Sequence, residues 1–287
     1  MKKIIYILSI LLGFSLNGCN VIDDSSTIYV SFYPLYDFAK RIVGDKFEVK
    51  NLTPVSQEPH DYEPTPKEVG GLVDSPIFLY HGLGLDSWVD SLPDNIEKKS
   101  YKVSSGIETI SLNGISDPHT WLSIPNAVKE MDNIYKVIAN YDSANAEYYK
   151  DNYNKAKKEF EELDKEYRDA INELSSKYLA VSHAAFGYLC EEYGLNQIYL
   201  SGLEPDALPS AKDKERIMET LKQYNVKTIF YEELSSDELA KNIASTLGIQ
   251  VDTLNPLEGL TSEELAKGYD YLSVMKDNLT KIKEALK

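Results

Sequence analysis

Residues 149–174 read YKDNYNKAKKEFEELDKEYRDAINEL. Tyr149, Tyr153, Ala156, Phe160, Leu163, Tyr167, Ala170 and Leu174 recur at alternating steps of four and three. That period puts them on one face of an α-helix, and charged residues fill the other faces. No glycine or proline interrupts the run. With Asp142 or Ser143 as its cap, a helix over 144–174 would be about 46 Å long, at roughly 1.5 Å per residue. That exceeds the usual helix within one domain. A single stripe without leucine-rich heptads makes a poor coiled-coil seam. The better reading is one long helix that packs along two halves of the chain and joins them.

Both flanks of this helix alternate strand with helix, the pattern of parallel sheets covered on their faces. Before it, strands are expected over 27–32, 47–55, 77–80 and 101–103. Helices are expected over 36–43 and 66–73, with a helix or turn near Trp88 and a further helix opened by Pro125. Residues 107–116 read as loop. After it, strands are expected over 178–182, 197–200, 228–231 and 251–254. Gly194 should stop the helix that follows Tyr178–Ser182. Ser210, Ser235 with Glu238, and Thr261 with Glu264 supply caps for three more helices. The fold class is therefore α/β: two lobes, each a mainly parallel sheet flanked by helices, joined by the long helix. The expected divisions are 27–140 for the first lobe, 141–175 for the linking helix and 176–287 for the second lobe.

The composition is that of a globular chain, 43% hydrophobic and 26% charged, with a net charge of −16. Such an acidic surface, without a basic stripe, argues against nucleic acid and against a polybasic grip on lipid. Lys2 and Lys3 precede an apolar run over 4–14 that is too short to span a bilayer, as in a signal peptide. Leu16-Asn17-Gly18-Cys19 then resembles a bacterial lipoprotein cleavage site. Residues 1–18 are expected to be a signal peptide and 19–26 a lipidated tether anchored through Cys19. Cys190, in an apolar run, is then the remaining thiol, and a buried core residue is expected there.

Candidate chemistry lies at the histidines. His60 sits in Gln57-Glu58-Pro59-His60-Asp61-Tyr62-Glu63-Pro64-Thr65-Pro66, a proline-stiffened loop. Thr65 and Glu68 form a capping box for the helix that follows. His119 lies in Asp117-Pro118-His119-Thr120-Trp121, and His183 directly follows the strand over 178–182. Ligands of open α/β sheets bind outside the carboxyl ends of the strands. Glu258, in Asn255-Pro256-Leu257-Glu258-Gly259-Leu260, reaches the same rim. Each histidine alone reads more readily as a packed or surface residue than as a ligand; their shared placement is what suggests a site. Three imidazoles and one carboxylate make a closed four-coordinate set suited to zinc. His81 also follows a strand, so placement leaves it open as a ligand or a neighbour. Gly82-Leu83-Gly84-Leu85-Asp86-Ser87 lacks the last glycine of a dinucleotide turn and reads better as a strand-ending turn.

At these motifs the sequence resembles the zinc- and manganese-binding substrate-binding lipoproteins of bacterial ABC transporters, the cluster 9 solute-binding family. The resemblance spans nearly the whole chain after the signal segment. It implies two α/β lobes, a rigid linking helix and a metal in the cleft between them. It carries the ligand role onto His60, His119 and His183, and not onto His81. Many members have Asp where Asn255 stands; zinc-type members with Pro-Leu-Glu match better and point to Glu258. Residues 104–116 contain no histidine, so the histidine-rich loop of many zinc members is not expected.

The implied function is extracytoplasmic capture of Zn2+ for an ABC importer, with Mn2+ as the alternative cargo. The implied partners are a membrane permease with its ATPase, and membrane lipid through Cys19. The chain is expected to be a monomer. A metal-dependent adhesin is a further alternative. An enzyme would need an open metal position and a base, for which Asp61 or Glu63 would serve; no catalytic residue is expected.

Overall fold

The computed structural model describes residues 27–205 and 207–287. Cys19 and the signal segment lie outside these residues.

The first half runs through β1 (Thr27–Val30), α1 (Tyr33–Val43), β2 (Glu48–Asn51), α2 (Pro66–Asp74), β3 (Phe78–Tyr80), α3 (Asp94–Glu97) and β4 (Ser100–Lys102). Its four strands pair in parallel in the order β2-β1-β3-β4. Thr65 accepts from the Glu68 N–H and Glu68 accepts from the Thr65 N–H, so the expected capping box forms. A two-residue antiparallel hairpin, β5 (Ser111–Leu112) and β6 (Ile115–Ser116), replaces the loop expected over 107–116. Asn113 and Gly114 both adopt positive φ, as a type I′ hairpin turn requires.

Next come α4 (Ile124–Tyr141), capped by Ser123, and the long α5 (Ala146–Asn172). The 27 residues of α5 make it about 40 Å long. It is shorter than expected at both ends. A 3-10 turn over Ser143–Asn145 precedes it, and Asn145 holds the cap position without a side-chain bond. Asp142 does not cap it; its carboxylate instead accepts from Tyr149 Oη and Asn145 Nδ2. The predicted stripe is the packed face: Tyr149, Ala156, Phe160, Leu163 and Tyr167 are buried, joined by Ile171.

The second half repeats the alternation with β7 (Tyr178–Val181), α6 (Gly187–Tyr193), β8 (Asn196–Tyr199), α7 (Ala211–Gln223), β9 (Thr228–Tyr231), α8 (Glu238–Leu247) and β10 (Gln250–Thr253). The sheet order is β10-β9-β7-β8, again parallel. In both sheets the first strand of the half lies between its second and third, so the halves share one topology. Gly194 ends α6 in the left-handed conformation, as expected. The box expected from Ser235 and Glu238 does not form, and α8 starts only at Glu238. The last expected helix is two helices. Thr261 and Glu264 cap the short α9 (Ser262–Ala266), and Asp270 with Ser273 caps α10 (Tyr271–Leu286).

One apolar cluster runs through both halves, from Ile28 and Val30 of the first sheet to Leu179 and Val181 of the second. At its centre Phe160 of α5 stacks on Tyr271 at 4.8 Å and meets Phe38 edge-on at 5.8 Å. Cys190 is buried in this cluster, and its burial pushes the thiol pKa up.

Candidate metal centre

Four loops converge where the strands of the two sheets end. His60 stands on the loop between β2 and α2, which is tied to the second half by the Ser56 N–H donating to Leu260 O at 3.1 Å. His119 follows the hairpin. Both its backbone N–H and its ring Nδ1 lie against Asp117 Oδ1, at 2.9 and 2.7 Å. His183 follows β7 with only Ser182 between, and its Nδ1 lies 2.5 Å from Glu232 Oε1. Glu258 ends the turn after β10. In that turn Leu257 takes φ 61°, held by its N–H donating to Asn255 Oδ1 at 2.7 Å. Trp121 Nε1 donates to Pro256 O at 2.8 Å, and Tyr271 Oη donates to Trp121 O at 2.6 Å. The first bond fastens the Glu258 turn of the second half, and the second fastens α10, to the His119 turn of the first.

The four predicted side chains meet. One ligand atom from each of His60, His119, His183 and Glu258 lies within 4.8 Å of the others. His119 Nε2 is 3.2 Å from His60 Nε2 and 3.3 Å from His183 Nε2. Glu258 Oε1 lies 3.3 Å from His60 Nε2, 2.8 Å from His119 Nε2 and 3.4 Å from His183 Nε2. A tetrahedral ion with bonds of about 2.0–2.1 Å sets its ligand atoms roughly 3.3–3.4 Å apart. Three of these five distances match that edge, His60–His119 is slightly shorter at 3.2 Å, and Glu258–His119 is of hydrogen-bond length. The donor set of three nitrogens and one oxygen fits zinc, whereas manganese favours more oxygen.

The electrostatics are those of a dry, charged cluster. Burial works against a charged His119, but Asp117 and Glu258 outweigh it and hold the imidazole above its ordinary pKa. Burial likewise opposes charge on His183, yet Glu232 and Glu258 hold its pKa well above the ordinary value. Burial alone would raise Glu258; His183, His119 and His60 instead hold it well below the carboxylate range. Glu58, two residues before His60, is pushed up to about 10 by burial and by the Glu258 charge.

Not every candidate joins the site. His81 Nε2 donates to Pro118 O at 2.6 Å, and its ring packs edge-on against Trp121 and Phe32. Burial brings its pKa down to about 3. It braces the Pro118–His119 turn from behind. Asn255 is equally internal to its turn, with Nδ2 donating to Glu264 Oε1 at 2.8 Å. Asp61 and Glu63, the candidate bases of an enzymatic reading, are exposed. Sequence reasoning missed three further carboxylates around the cluster: Asp117 and Glu232 against the rings, and Glu58 against the His60 backbone N–H. Asp117 and Glu58 stood inside quoted motifs without a role. Glu232 had one available signal, its place directly after β9 at the same rim as the histidines.

A protein-family model described as zinc-uptake complex component A, periplasmic, matches residues 28–285. The chain is 37% identical to the high-affinity zinc uptake system protein ZnuA of Bacillus subtilis, over 92% of this chain and 88% of that protein. It is 33% identical to the zinc-binding lipoprotein AdcA of Streptococcus pneumoniae, covering 99% of this chain and 61% of that longer relative. The crystal structure of the Zn(II)-bound ZnuA-like domain of that AdcA superimposes with a TM-score of 0.81 at 34% identity, over 91% of this chain and 99% of the domain.

Proposed function

Because the chain belongs to the family of zinc-uptake complex component A proteins, we propose that it is the zinc-capturing component of an ABC-type importer, working outside the cytoplasm. It binds one Zn2+ between its lobes and hands the ion to a membrane permease driven by an ATPase. The observation that carries this reading is the convergence of His60, His119, His183 and Glu258 within 4.8 Å. We assign all four as the zinc ligands, two from each half. The lobes divide at 27–140 and 176–287, with 141–175 as the link. The protein acts as a monomer held at the membrane by lipid on Cys19.

The donor set explains why capture, rather than turnover, is the role. A catalytic zinc keeps a position open for water, whereas four protein ligands close the shell. Three neutral imidazoles would leave the bound ion at its full charge, and Glu258 offsets part of it in a buried setting where uncompensated charge is costly. Because ligands come from both halves, the grip depends on how the two halves face each other. Delivery then requires only that one half's ligands withdraw.

The test is competitive loading. Protein stripped of metal and offered equal zinc and manganese is expected to retain one zinc per chain by elemental analysis. Preferential retention of manganese would overturn the zinc assignment. Zinc stoichiometry unaffected by His60→Ala, His119→Ala and His183→Ala would overturn the site.

A further inference from the structure

Glu232 is buried at the end of β9, 2% exposed, beside the strand that delivers His183. Among the described residues it forms an ion pair with no lysine or arginine; its charged neighbour is the His183 ring. Ser182 Oγ donates to the same Oε1 at 3.0 Å, and Oε2 has no hydrogen-bond partner. A buried carboxylate without a basic partner is costly, and it is tolerated where it serves a nearby cation. The His183 ring presents Nδ1 to Glu232 and Nε2 to the ligand cluster. A carboxylate that accepts the outer ring proton of a ligating histidine fixes its tautomer and strengthens the inner nitrogen as a donor.

We propose that Glu232 is a positioning residue for metal capture: it accepts the Nδ1 proton of His183, aims the Nε2 lone pair at the ion, and adds negative charge behind the ring. The proposal rests on the zinc-capture reading above. It also separates the three histidines. His119 and His183 each carry a buried carboxylate on Nδ1, whereas among the described residues the carboxylate paired with His60 Nδ1 is the exposed Glu204 at 3.8 Å.

The test uses the full chain with Glu232→Leu, Glu232→Gln and Glu232→Asp. Zinc affinity is read by competition with a chromophoric chelator, and the His183 ring nitrogens by 15N NMR. Glu232→Leu is expected to weaken zinc binding by about 10–100-fold. Glu232→Gln, which keeps an acceptor but loses the charge, should fall between it and wild type, and Glu232→Asp should recover part of the loss. In wild type, Nδ1 of His183 should be protonated with and without zinc. Affinity of Glu232→Leu equal to wild type would overturn the proposal. If that variant fails to fold, wild-type affinity in Glu232→Gln would do so, as would zinc on Nδ1 of His183. Wild type that takes up no zinc would instead defeat the capture reading, and the ring-nitrogen measurement on the metal-free protein would still decide the hydrogen bond.

Discussion

Glu258 and Asn255 stand three positions apart in one turn, and the structure gives them opposite tasks. Glu258 Oε1 faces all three Nε2 atoms, while Asn255 spends its side chain on the Leu257 N–H and on Glu264. Glu258→Gln is therefore expected to weaken zinc binding at least ~10-fold, comparable to or somewhat less than losing one histidine. Asn255→Ala should instead lower folding stability by about 1–2 kcal/mol, through its lost hydrogen bonds, with a much smaller effect on zinc. Calorimetric titration with a parallel urea melt separates the two; unchanged affinity in Glu258→Gln would remove it from the site. The sequence already put forward these four side chains as candidates, from their placement near strand ends and from the family resemblance. Placement alone could not separate His81 from them, since His81 also follows a strand; only the resemblance set it apart. Side-chain direction decided that point: Nε2 of His81 is consumed by Pro118 O.

At the scale of elements, α5 is where periodicity was most informative, because a long apolar stripe has only one way to be buried. Its boundaries were less legible. A 3-10 turn over Ser143–Asn145 displaced its start, and the helix ends at Asn172 with Glu173 as C-cap. The hairpin over 111–116 was missed although Asn113-Gly114 is a strong turn signal, because its strands are only two residues each. The division of the final helix follows from Gly268 at φ 75° and from a second cap at Asp270, which a single periodic reading runs together. Phe160 is the point where α5 binds the halves, wedged between Phe38 and Tyr271. Phe160→Ala is expected to cost about 3–5 kcal/mol in chemical denaturation. Zinc stoichiometry at low denaturant should stay at one per chain, because the ring partners of Phe160 are Phe38 and Tyr271 rather than the proposed ligands; loss of zinc from a folded variant would refute that separation.

For the whole molecule, pH is the informative variable. His119 and His183 are held above their unfolded value of 6.5. In metal-free protein their contribution to stability is fully present below that value and is lost as pH rises through their raised folded values. Glu258 is depressed from 4.5, so its contribution is present above that value and is lost as pH falls through its lowered folded value. The metal-free protein should therefore be most stable at mildly acidic pH. Zinc binds the deprotonated rings, so the rise in melting temperature on zinc addition should grow with pH through and above neutrality. A zinc-induced rise that is flat over that range would contradict the assignment of His119 and His183. Membrane attachment is tested at the same scale: wild type should take up lipid label in its native host and Cys19→Ala should not, and an unlabelled, soluble wild type would end the anchor reading. By itself the sequence determined the α/β class, the long helix and the residue types of the site, because hydrophobic period, caps and strand ends are local properties of the chain. The tertiary structure alone decided the matching strand order of the two sheets and the fastening of the turns through Trp121 and Tyr271. It also decided that Asp117 and Glu232 stand behind the rings. Glu232 and His183 are distant in sequence and adjacent only because β9 pairs with β7, and no local pattern records which strands become neighbours.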